Sequence, residues 1–303
     1  MIYTLTYSPT IDYLCYVDDL RVGKLNRMTR DTYMYGGKGV NVSQVLKNMG
    51  FRSVALGFVA GFTGNEIEDG LNRLGIDTDF IHLPYGHSRI NIKLCAGEET
   101  EVNAVGPEVD ATSLNKLFEQ LKNIGPDDIL ILGGRQSRGM SSDMYARVMM
   151  NLPYRDTKVV IDTEGEMLLN TLPYGPFLIK PNERELENLF HKEFSSSDID
   201  SIVSAAKQLQ KMGAKNVLVS LGADGAVLVT EDRQVFHRAA PSGVAVNTVG
   251  AGDSMVAGFV AEYLQSGDYE NAFVMGIAAG SESAFREGFA TGDEIEQLYR
   301  LIR

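Results

Sequence analysis

The stretch Ala245-Val246-Asn247-Thr248-Val249-Gly250-Ala251-Gly252-Asp253-Ser254 decides the fold of this chain. Its first half is apolar and β-branched, its centre is a Gly-Ala-Gly turn, and a helix is predicted to begin directly after the turn. Val256, Phe259 and Val260 recur at helical spacing, with Gly267 just beyond the last apolar position. The pattern therefore predicts a strand, a glycine turn and a helix in that order.

The start of this predicted helix is suited to binding an anion. The amides of Gly250, Ala251 and Gly252 come to a helix N-terminus, where unpaired N–H groups and the helix dipole attract negative charge. Asp253 lies in the first turn and is interpreted either as a capping residue or as an ionised base beside the anion site. In the second case it would accept the proton of an attacking hydroxyl, while the amides stabilise a transferred phosphoryl group.

The length and charge of the chain limit its class. A chain of 303 residues suits one large α/β domain, residues 1–303. A net charge of −12 argues against nucleic acid or an acidic membrane surface as the main partner. No apolar run is long enough to span a bilayer, and two cysteines give no disulfide framework. We expect a cytoplasmic protein whose partners are small molecules.

Predicted strands and helices alternate from about residue 111 onward. This alternation indicates a mostly parallel sheet covered on both faces, in which ligands bind at the carboxyl ends of the strands. Residues 12–35 lack a helical period, and apolar and polar side chains alternate over residues 88–95. Arg89, Asn91 and Lys93 share one face of the latter strand. The segments 12–35 and 86–106 are therefore predicted to form a small sheet apart from the main core.

A second glycine turn, Gly36-Gly37-Lys38-Gly39-Val40-Asn41, precedes another predicted helix. Glycines let the backbone approach a ligand closely, while Lys38 supplies a positive charge and Asn41 a donor and an acceptor. A plain surface loop is the alternative. Lys38 also joins Arg27 and Arg89 in a basic set that suits a phosphate group, although each cation alone is equally a solvated surface charge.

Two further motifs follow predicted strands. Asn182 and Glu185 have the spacing of a helix capping box. The functional alternative is that they hold waters of a Mg²⁺ ion carried by nucleotide phosphates. Residues 220–225, Ser-Leu-Gly-Ala-Asp-Gly, form either a tight hairpin or the wall of a nucleotide site. The chain lacks a Gly-x-x-x-x-Gly-Lys-Ser/Thr motif, which excludes a P-loop enzyme.

Taken together, these motifs resemble the signatures of the ribokinase-like (PfkB) carbohydrate kinases. Residues 36–43 resemble the N-terminal signature, residues 247–258 the C-terminal one, and Asn182-Glu183-Arg184-Glu185 the Asn-x-x-Glu motif. The resemblance covers essentially the whole chain. It implies a three-layer α/β/α fold with a mostly parallel central sheet and a small β-sheet lid, use of ATP and Mg²⁺, and a homodimer formed through the lid.

Within the family, Lys38, Asn26-Arg27 and Arg89-x-Asn91-x-Lys93 resemble the phosphosugar branch. This implies an ATP-dependent kinase of a ketohexose phosphate. The preferred assignment is the conversion of fructose 1-phosphate to fructose 1,6-bisphosphate. A tagatose-6-phosphate kinase or a 6-phosphofructokinase is the alternative within the branch. Two further hypotheses remain: a sugar-phosphate sensor without turnover, and a kinase of unphosphorylated sugars or of nucleosides.

The resemblance also implies roles for single residues. The base is Asp253, assisted by the amides of Gly250, Ala251 and Gly252. The sugar phosphate is bound by Asp12, Arg27, Gly37, Lys38, Asn41, Arg89 and Asn91. The nucleotide is contacted by Lys180, Asn182, Ser220, Gly222, Gly225 and Gly252, and Glu185 contacts the metal through water.

Two departures from the branch pattern fall near the expected sugar pocket. Ser8 precedes Pro9 where the branch usually has Asn, and Gly133-Gly134-Arg135 stands where it usually has Ser-Gly-Ser. Both departures bear on which sugar is bound, and neither affects the role assigned to Asp253.

Overall fold

The computed structural model of the chain describes residues 1–303, except for the side chains of residues 98 and 99. Two sheets form its framework. The larger has nine strands: β1 (Ile2–Thr6), β4 (Ser53–Ala60), β5 (Asp77–Leu83), β8 (Ile129–Gly133), β9 (Lys158–Asp162), β10 (Leu178–Ile179), β11 (Asn216–Ser220), β12 (Ala226–Val229) and β13 (Val235–Arg238). The smaller has four: β2 (Thr10–Tyr16), β3 (Arg30–Gly36), β6 (Arg89–Ala96) and β7 (Glu98–Val102).

Ten α-helices connect the strands in the described structure. They are α1 (Lys38–Asn48), α2 (Gly61–Arg73), α3 (Ala111–Leu121), α4 (Met144–Asn151), α5 (Gly165–Leu169), α6 (Glu183–Phe190), α7 (Ile199–Lys211), α8 (Ala251–Ser266), α9 (Tyr269–Ala284) and α10 (Gly292–Ile302). The strand order of the larger sheet is β13-β12-β11-β10-β9-β8-β1-β4-β5. All neighbours from β11 to β5 are parallel, and β12 and β13 add an antiparallel edge.

Side chains alternate across the larger sheet and pack against a helical layer on each face. Leu130 and Leu132 of β8 join a core with α3, α4, α5, α6 and α7, whereas Ile129 and Ile131 join a core with α1, α8, α9 and α10. Helix α2 lies on the α1 side, in a core that includes Val40 and Ile67. The predicted three-layer α/β/α fold with a mostly parallel sheet is confirmed. Among the described residues, no helix has the length and apolar character of a membrane span.

The strand predicted directly before the Gly-Ala-Gly turn is wrong. Residues 245–249 form an irregular segment, in which Val246 is 56% and Val249 43% exposed. Tertiary contacts explain this difference, because the backbone N–H groups of Val246 and Asn247 donate to the carbonyl of Ala284 at the end of α9. The β-branched run therefore pairs with the end of a helix and not with a strand. This tertiary contact overrides the local strand propensity of the run.

The smaller sheet shows the alternation predicted for residues 88–95. The polar face of β6 is the covered one, with Asn91 and Lys93 each 8% exposed. On the opposite face the register of the sheet lines up Tyr33, Ile92 and Val102, which are 49%, 41% and 59% exposed. The basic face of this strand is thus directed toward the body of the molecule.

Candidate active site

The carboxyl ends of β1, β8, β9, β10 and β11 border a cavity of about 990 Å³. Parallel strands all end at the same edge of a sheet, which is where ligands bind in folds of this kind. Helices α1 and α8 both begin at the cavity, so the two glycine turns singled out in the sequence lie at one site.

The N-terminus of α8 carries the predicted base. Gly250 caps the helix in the left-handed conformation, with φ of 81°, and a Cβ atom there would lie 2.6 Å from the ring of Phe289. The Nδ2 of Asn41 donates to the Oδ2 of Asp253 at 2.7 Å and so joins α1 to α8. Asp253 is buried, yet it lines the cavity together with Gly250, Ala251 and Gly252. Among the described residues, the carboxylate of Asp253 is bound by Asn41 and not by a backbone N–H of its own helix. Of the three amides predicted to be unpaired, that of Ala251 donates to the carbonyl of Thr248 at 3.2 Å.

The environment of Asp253 favours its protonated form. Burial and the negative charge of Asp162 raise the pKa of Asp253 to about 6, against the opposing effect of Lys38. A carboxylate with this pKa is largely ionised at neutral pH and is a stronger proton acceptor than an exposed one. This is the tuning expected of a general base.

Two lysines converge on one buried carboxylate beside this base. Asp162, at the end of β9, accepts a hydrogen bond from Lys38 Nζ at 2.7 Å and lies 3.5 Å from Lys180 Nζ. Burial acts to raise the pKa of Asp162, but the two ammonium groups outweigh burial and hold this pKa below its usual value. A Cβ on Gly252 would lie 3.0 Å from Lys180 Nζ, so this glycine lets the lysine reach the anion-binding turn. The single carboxylate of Asp162 thus positions two cations.

The capping interpretation of the Asn182 and Glu185 motif is confirmed, and the metal interpretation stays a prediction. A reciprocal capping box starts α6: Asn182 N donates to Glu185 Oε2 at 3.0 Å, and Glu185 N donates to Asn182 Oδ1 at 2.8 Å. Both residues also line the cavity, and burial raises the pKa of Glu185. The Oδ2 of Asp162 has no hydrogen bond among the described groups and lies 3.5 Å from Lys180 Nζ in an ion pair. Two carboxylates in the wall that also holds the Gly250–Gly252 turn fit a Mg²⁺ ion that keeps several waters.

The residues predicted to contact a nucleotide form part of the cavity wall. The predicted hairpin forms between β11 and β12, and its residues Ser220, Gly222 and Gly225 line the wall. Gly225 has φ of 99°, and a Cβ there would strike the backbone of Ala239 at 2.7 Å. Apolar lining is added by Ala240, Pro241, Ala245, Val249 and Phe285.

The sugar-binding residues predicted from the sequence divide into two groups. Gly37, Lys38, Asn41 and Arg89 line the cavity, as do all the residues predicted for the base, the nucleotide and the metal. The other three, Asp12, Arg27 and Asn91, are not among the lining residues. Asp12 and Asn91 are hydrogen-bonded to each other on the covered face of the smaller sheet, at 2.8 Å, and Arg27 is exposed between β2 and β3.

Sequence reasoning missed Asp162 as a site residue. One signal could have found it, since Asp162 is a charged residue directly after the apolar run Val159-Val160-Ile161, at the carboxyl end of a predicted strand. Ser8 and Arg135, noted as departures, also line the cavity. Arg135 Nε donates to Glu164 Oε1 at 2.8 Å, so its charge is partly neutralised at the rim.

Comparison with known proteins agrees with this geometry. Residues 3–296 match the model of the pfkB family carbohydrate kinases. The chain is 40% identical to the 1-phosphofructokinase of Bacillus subtilis over 298 residues, covering 98% of this chain and 97% of that protein. It is 36% identical to the D-tagatose-1-phosphate kinase of Bacillus licheniformis over 303 residues, covering 100% and 99%.

A solved structure shares the fold. The crystal structure of phosphofructokinase-2 from Escherichia coli in complex with fructose-6-phosphate superposes with a TM-score of 0.91 at 25% identity, covering 99% of this chain and 98% of that one. The matches extend over nearly the full length and include both glycine turns. The chain belongs to the pfkB family of carbohydrate kinases.

Proposed function

We propose that this protein is a 1-phosphofructokinase, which transfers the γ-phosphoryl group of ATP to fructose 1-phosphate and forms fructose 1,6-bisphosphate. The observation that carries the proposal is the shared cavity of Asp253, the Gly250–Gly252 turn and the cations Lys38 and Arg89. The relatives named above, for fructose 1-phosphate and tagatose 1-phosphate, support a ketohexose that carries its phosphate on C1.

The chemistry follows from the residues around the α8 N-terminus. Asp253 accepts the proton of the substrate hydroxyl while that oxygen bonds to the γ-phosphorus of ATP, and the bond to the β–γ bridging oxygen breaks to release ADP. The amides of Gly250 and Gly252 and the ammonium group of Lys180 stabilise the charge on the transferred group, whereas the amide of Ala251 donates to the carbonyl of Thr248. Asn41 orients Asp253 through the 2.7 Å hydrogen bond. Little covalent chemistry is needed beyond this positioning.

The metal proposal concerns Glu185 and Asp162. Mg²⁺ supplies neutralisation of the nucleotide phosphates when it is bound. Glu185 would hold the ion through water, and the Oδ2 of Asp162, which has an ion pair with Lys180 but no hydrogen bond, offers a second acceptor in the same cavity wall. In this scheme Lys180 and Asn182 contact the nucleotide phosphates, and Ser220, Gly222 and Gly225 line the remainder of its site.

The small sheet is proposed to act as a lid and as the dimer interface of one kinase domain, residues 1–303. Its polar face carries Asp12 and Asn91 toward the body of the molecule, where lid closure would bring them to the sugar. Its opposite face exposes Tyr33, Ile92 and Val102, and a second copy would cover this apolar row. We also propose a cytoplasmic location, because ATP and sugar phosphates are available there.

A substrate panel tests the proposed function. ADP release is measured with fructose 1-phosphate, tagatose 1-phosphate, fructose 6-phosphate and tagatose 6-phosphate, with Asp253→Asn as the control for contaminating kinases. We expect the highest kcat/KM with fructose 1-phosphate. A higher value with either 6-phosphate would contradict the assignment, and binding of fructose 1-phosphate without ADP release would identify a sensor instead.

A further inference from the structure

An ion pair joins the smaller sheet to the body of the molecule at the end of β3 that is farther from the Gly36–Gly37 turn. The Nη2 of Arg30 donates to the Oε2 of Glu287 at 2.6 Å. Arg30 is the first residue of β3, an edge strand of the smaller sheet, and Glu287 lies between α9 and α10. The two residues are 257 positions apart, so this contact forms only when the sheet lies against the body.

The strand register directs Arg30 toward the body. Asp12 pairs with Met34 on one side and with Asn91 on the other, which places the even-numbered residues of β3 on the covered polar face. Arg30 belongs to this row. Its guanidinium group lies 4.8 Å from the ring centre of Tyr16, its partner on β2, so the cation is held within the sheet before it meets the carboxylate.

The opposite end of β3 is fixed to two helices of the body. The ring of Tyr35 fills a notch at Gly70 of α2, where any Cβ would overlap the ring. The hydroxyl of Tyr35 donates to Glu66 Oε1 at 2.7 Å, and its carbonyl accepts from Gln44 Nε2 of α1 at 2.9 Å. From this anchor to Arg30 the strand extends about 17 Å, at about 3.3 Å per residue. The ion pair therefore fastens the far end of a strand whose base is already anchored.

The loop that carries Glu287 is tied to both helices that flank it. Arg286 forms one ion pair with α9 and another with α10. In the same loop, the ring of Phe289 packs against Gly250, the residue that caps α8. The contact with Arg30 thus connects the edge of the smaller sheet to a loop that supports the glycine turn of the active site.

We propose that Arg30 and Glu287 form a latch that holds the edge of the lid against the body, and that the sugar phosphate binds to the latched state. This inference rests on the proposed function and adds to it two positioning residues. Neither residue is among those that line the cavity, so both act through the lid and not by contact with a ligand. Their side chains are 53% and 62% exposed, which makes the latch weak enough to open and close readily.

The test reverses each charge in turn. Calorimetry measures the Kd for fructose 1-phosphate in Glu287→Arg, in Arg30→Glu and in the double variant. Loss of an exposed ion pair and the repulsion that replaces it each shift the equilibrium, so either single reversal should raise this Kd about fivefold. The double variant restores opposite charges and should bind within about twofold of the wild type. The Kd for ATP should stay within about twofold in all three variants, because the latch acts on the lid.

A matched control separates the latch from a general effect of charge. Asp77→Arg makes the same change in net charge as Glu287→Arg and breaks another exposed ion pair, with Arg52 at 2.8 Å, at the start of β5. This control should not raise the Kd for fructose 1-phosphate. A long-range effect on an anionic substrate would raise that Kd in Arg30→Glu but lower it in Glu287→Arg, whereas loss of the latch raises it in both.

An unchanged or lower Kd for fructose 1-phosphate in Glu287→Arg would overturn the inference, as would a double variant that binds no better than the weaker single variant. Where a reversal lowers the binding stoichiometry and so indicates misfolding, Glu287→Gln and Arg30→Gln replace it. Each should raise the Kd about twofold and the pair no further, and additive effects would overturn the inference. A wild type that binds fructose 1-phosphate but releases no ADP would contradict the proposed function alone, because the calorimetric comparison needs no turnover.

Discussion

Replacing Asp253 by asparagine is expected to stabilise the folded protein at neutral pH, although it removes the proposed base. The wild-type carboxylate is buried, and burial together with Asp162 raises the pKa of Asp253 from 3.8 to about 6. Ionisation in the folded state is therefore less favourable than in the unfolded chain. Asparagine has nearly the same shape and cannot ionise, and its Oδ1 can still accept the hydrogen bond from Asn41.

The magnitude follows from the pKa of Asp253. A rise from 3.8 to about 6 corresponds to about 3 kcal/mol, at about 1.4 kcal/mol for each pH unit. Because the pKa is raised on folding, the stability that Asp253 contributes is fully present below 3.8 and is lost as the pH rises through about 6. Relative to the wild type, the gain in unfolding free energy of Asp253→Asn should be small near pH 3.5, grow between these two values, and level off at about 3 kcal/mol.

Urea unfolding at a series of pH values measures this difference, with Asp156→Asn as the control because Asp156 is exposed. The control should show no comparable gain between about pH 4 and 8. A difference that does not change with pH, or a wild type more stable than Asp253→Asn at pH 7.5, would refute the buried and desolvated state assigned to this carboxylate.

Gly250→Ala should destabilise the protein by more than Gly267→Ala and also lower kcat. Both glycines have left-handed backbone conformations, but only at Gly250 would the added Cβ lie within 3 Å of a ring, that of Phe289. Urea unfolding and ADP release measure the two effects, and equal losses in both variants would contradict this reasoning. Ile92→Asp should convert a dimer to a monomer in light scattering, whereas Leu301→Asp, at an apolar position on α10 that is even more exposed, should not. A dimer that survives Ile92→Asp would exclude the lid interface. Arg89→Ala should raise the KM for fructose 1-phosphate by about ten- to a hundredfold and leave the KM for ATP unchanged, since a hydrogen bond to a charged group contributes about 1.5–3 kcal/mol. An unchanged KM for fructose 1-phosphate would favour a substrate without phosphate.

Much of the fold and most of the cavity wall could be predicted from the sequence because local signals decide them. Glycine turns, capping residues and helical spacing act within a few residues, and the α/β alternation brings every strand end to the same edge. Gly250 and Lys38 are therefore at one site although more than 200 residues separate them in the chain. Local signals could not exclude a strand at residues 245–249, because a β-branched run becomes a strand only where the tertiary structure supplies a neighbouring strand.

The parts that could not be predicted depend on contacts between distant segments. In the sequence Asp162 is the last residue of an apolar strand. Its role in positioning Lys38 and Lys180 is visible only in the tertiary structure, because the two lysines belong to other segments of the chain. The ion pair of Arg30 and Glu287 is likewise visible only when the smaller sheet lies against the loop between α9 and α10. Arg27 remains a prediction, since a single chain leaves it exposed between β2 and β3.

The most direct test of the account is the turnover of Asp253→Asn with fructose 1-phosphate and ATP. If Asp253 is the base, kcat should fall by about a hundred- to ten-thousandfold, the range for loss of general-base catalysis, while the affinity for ATP stays within about twofold. The stability measurement above ensures that the loss is not caused by unfolding. A kcat within about threefold of the wild-type value would contradict the assignment of Asp253.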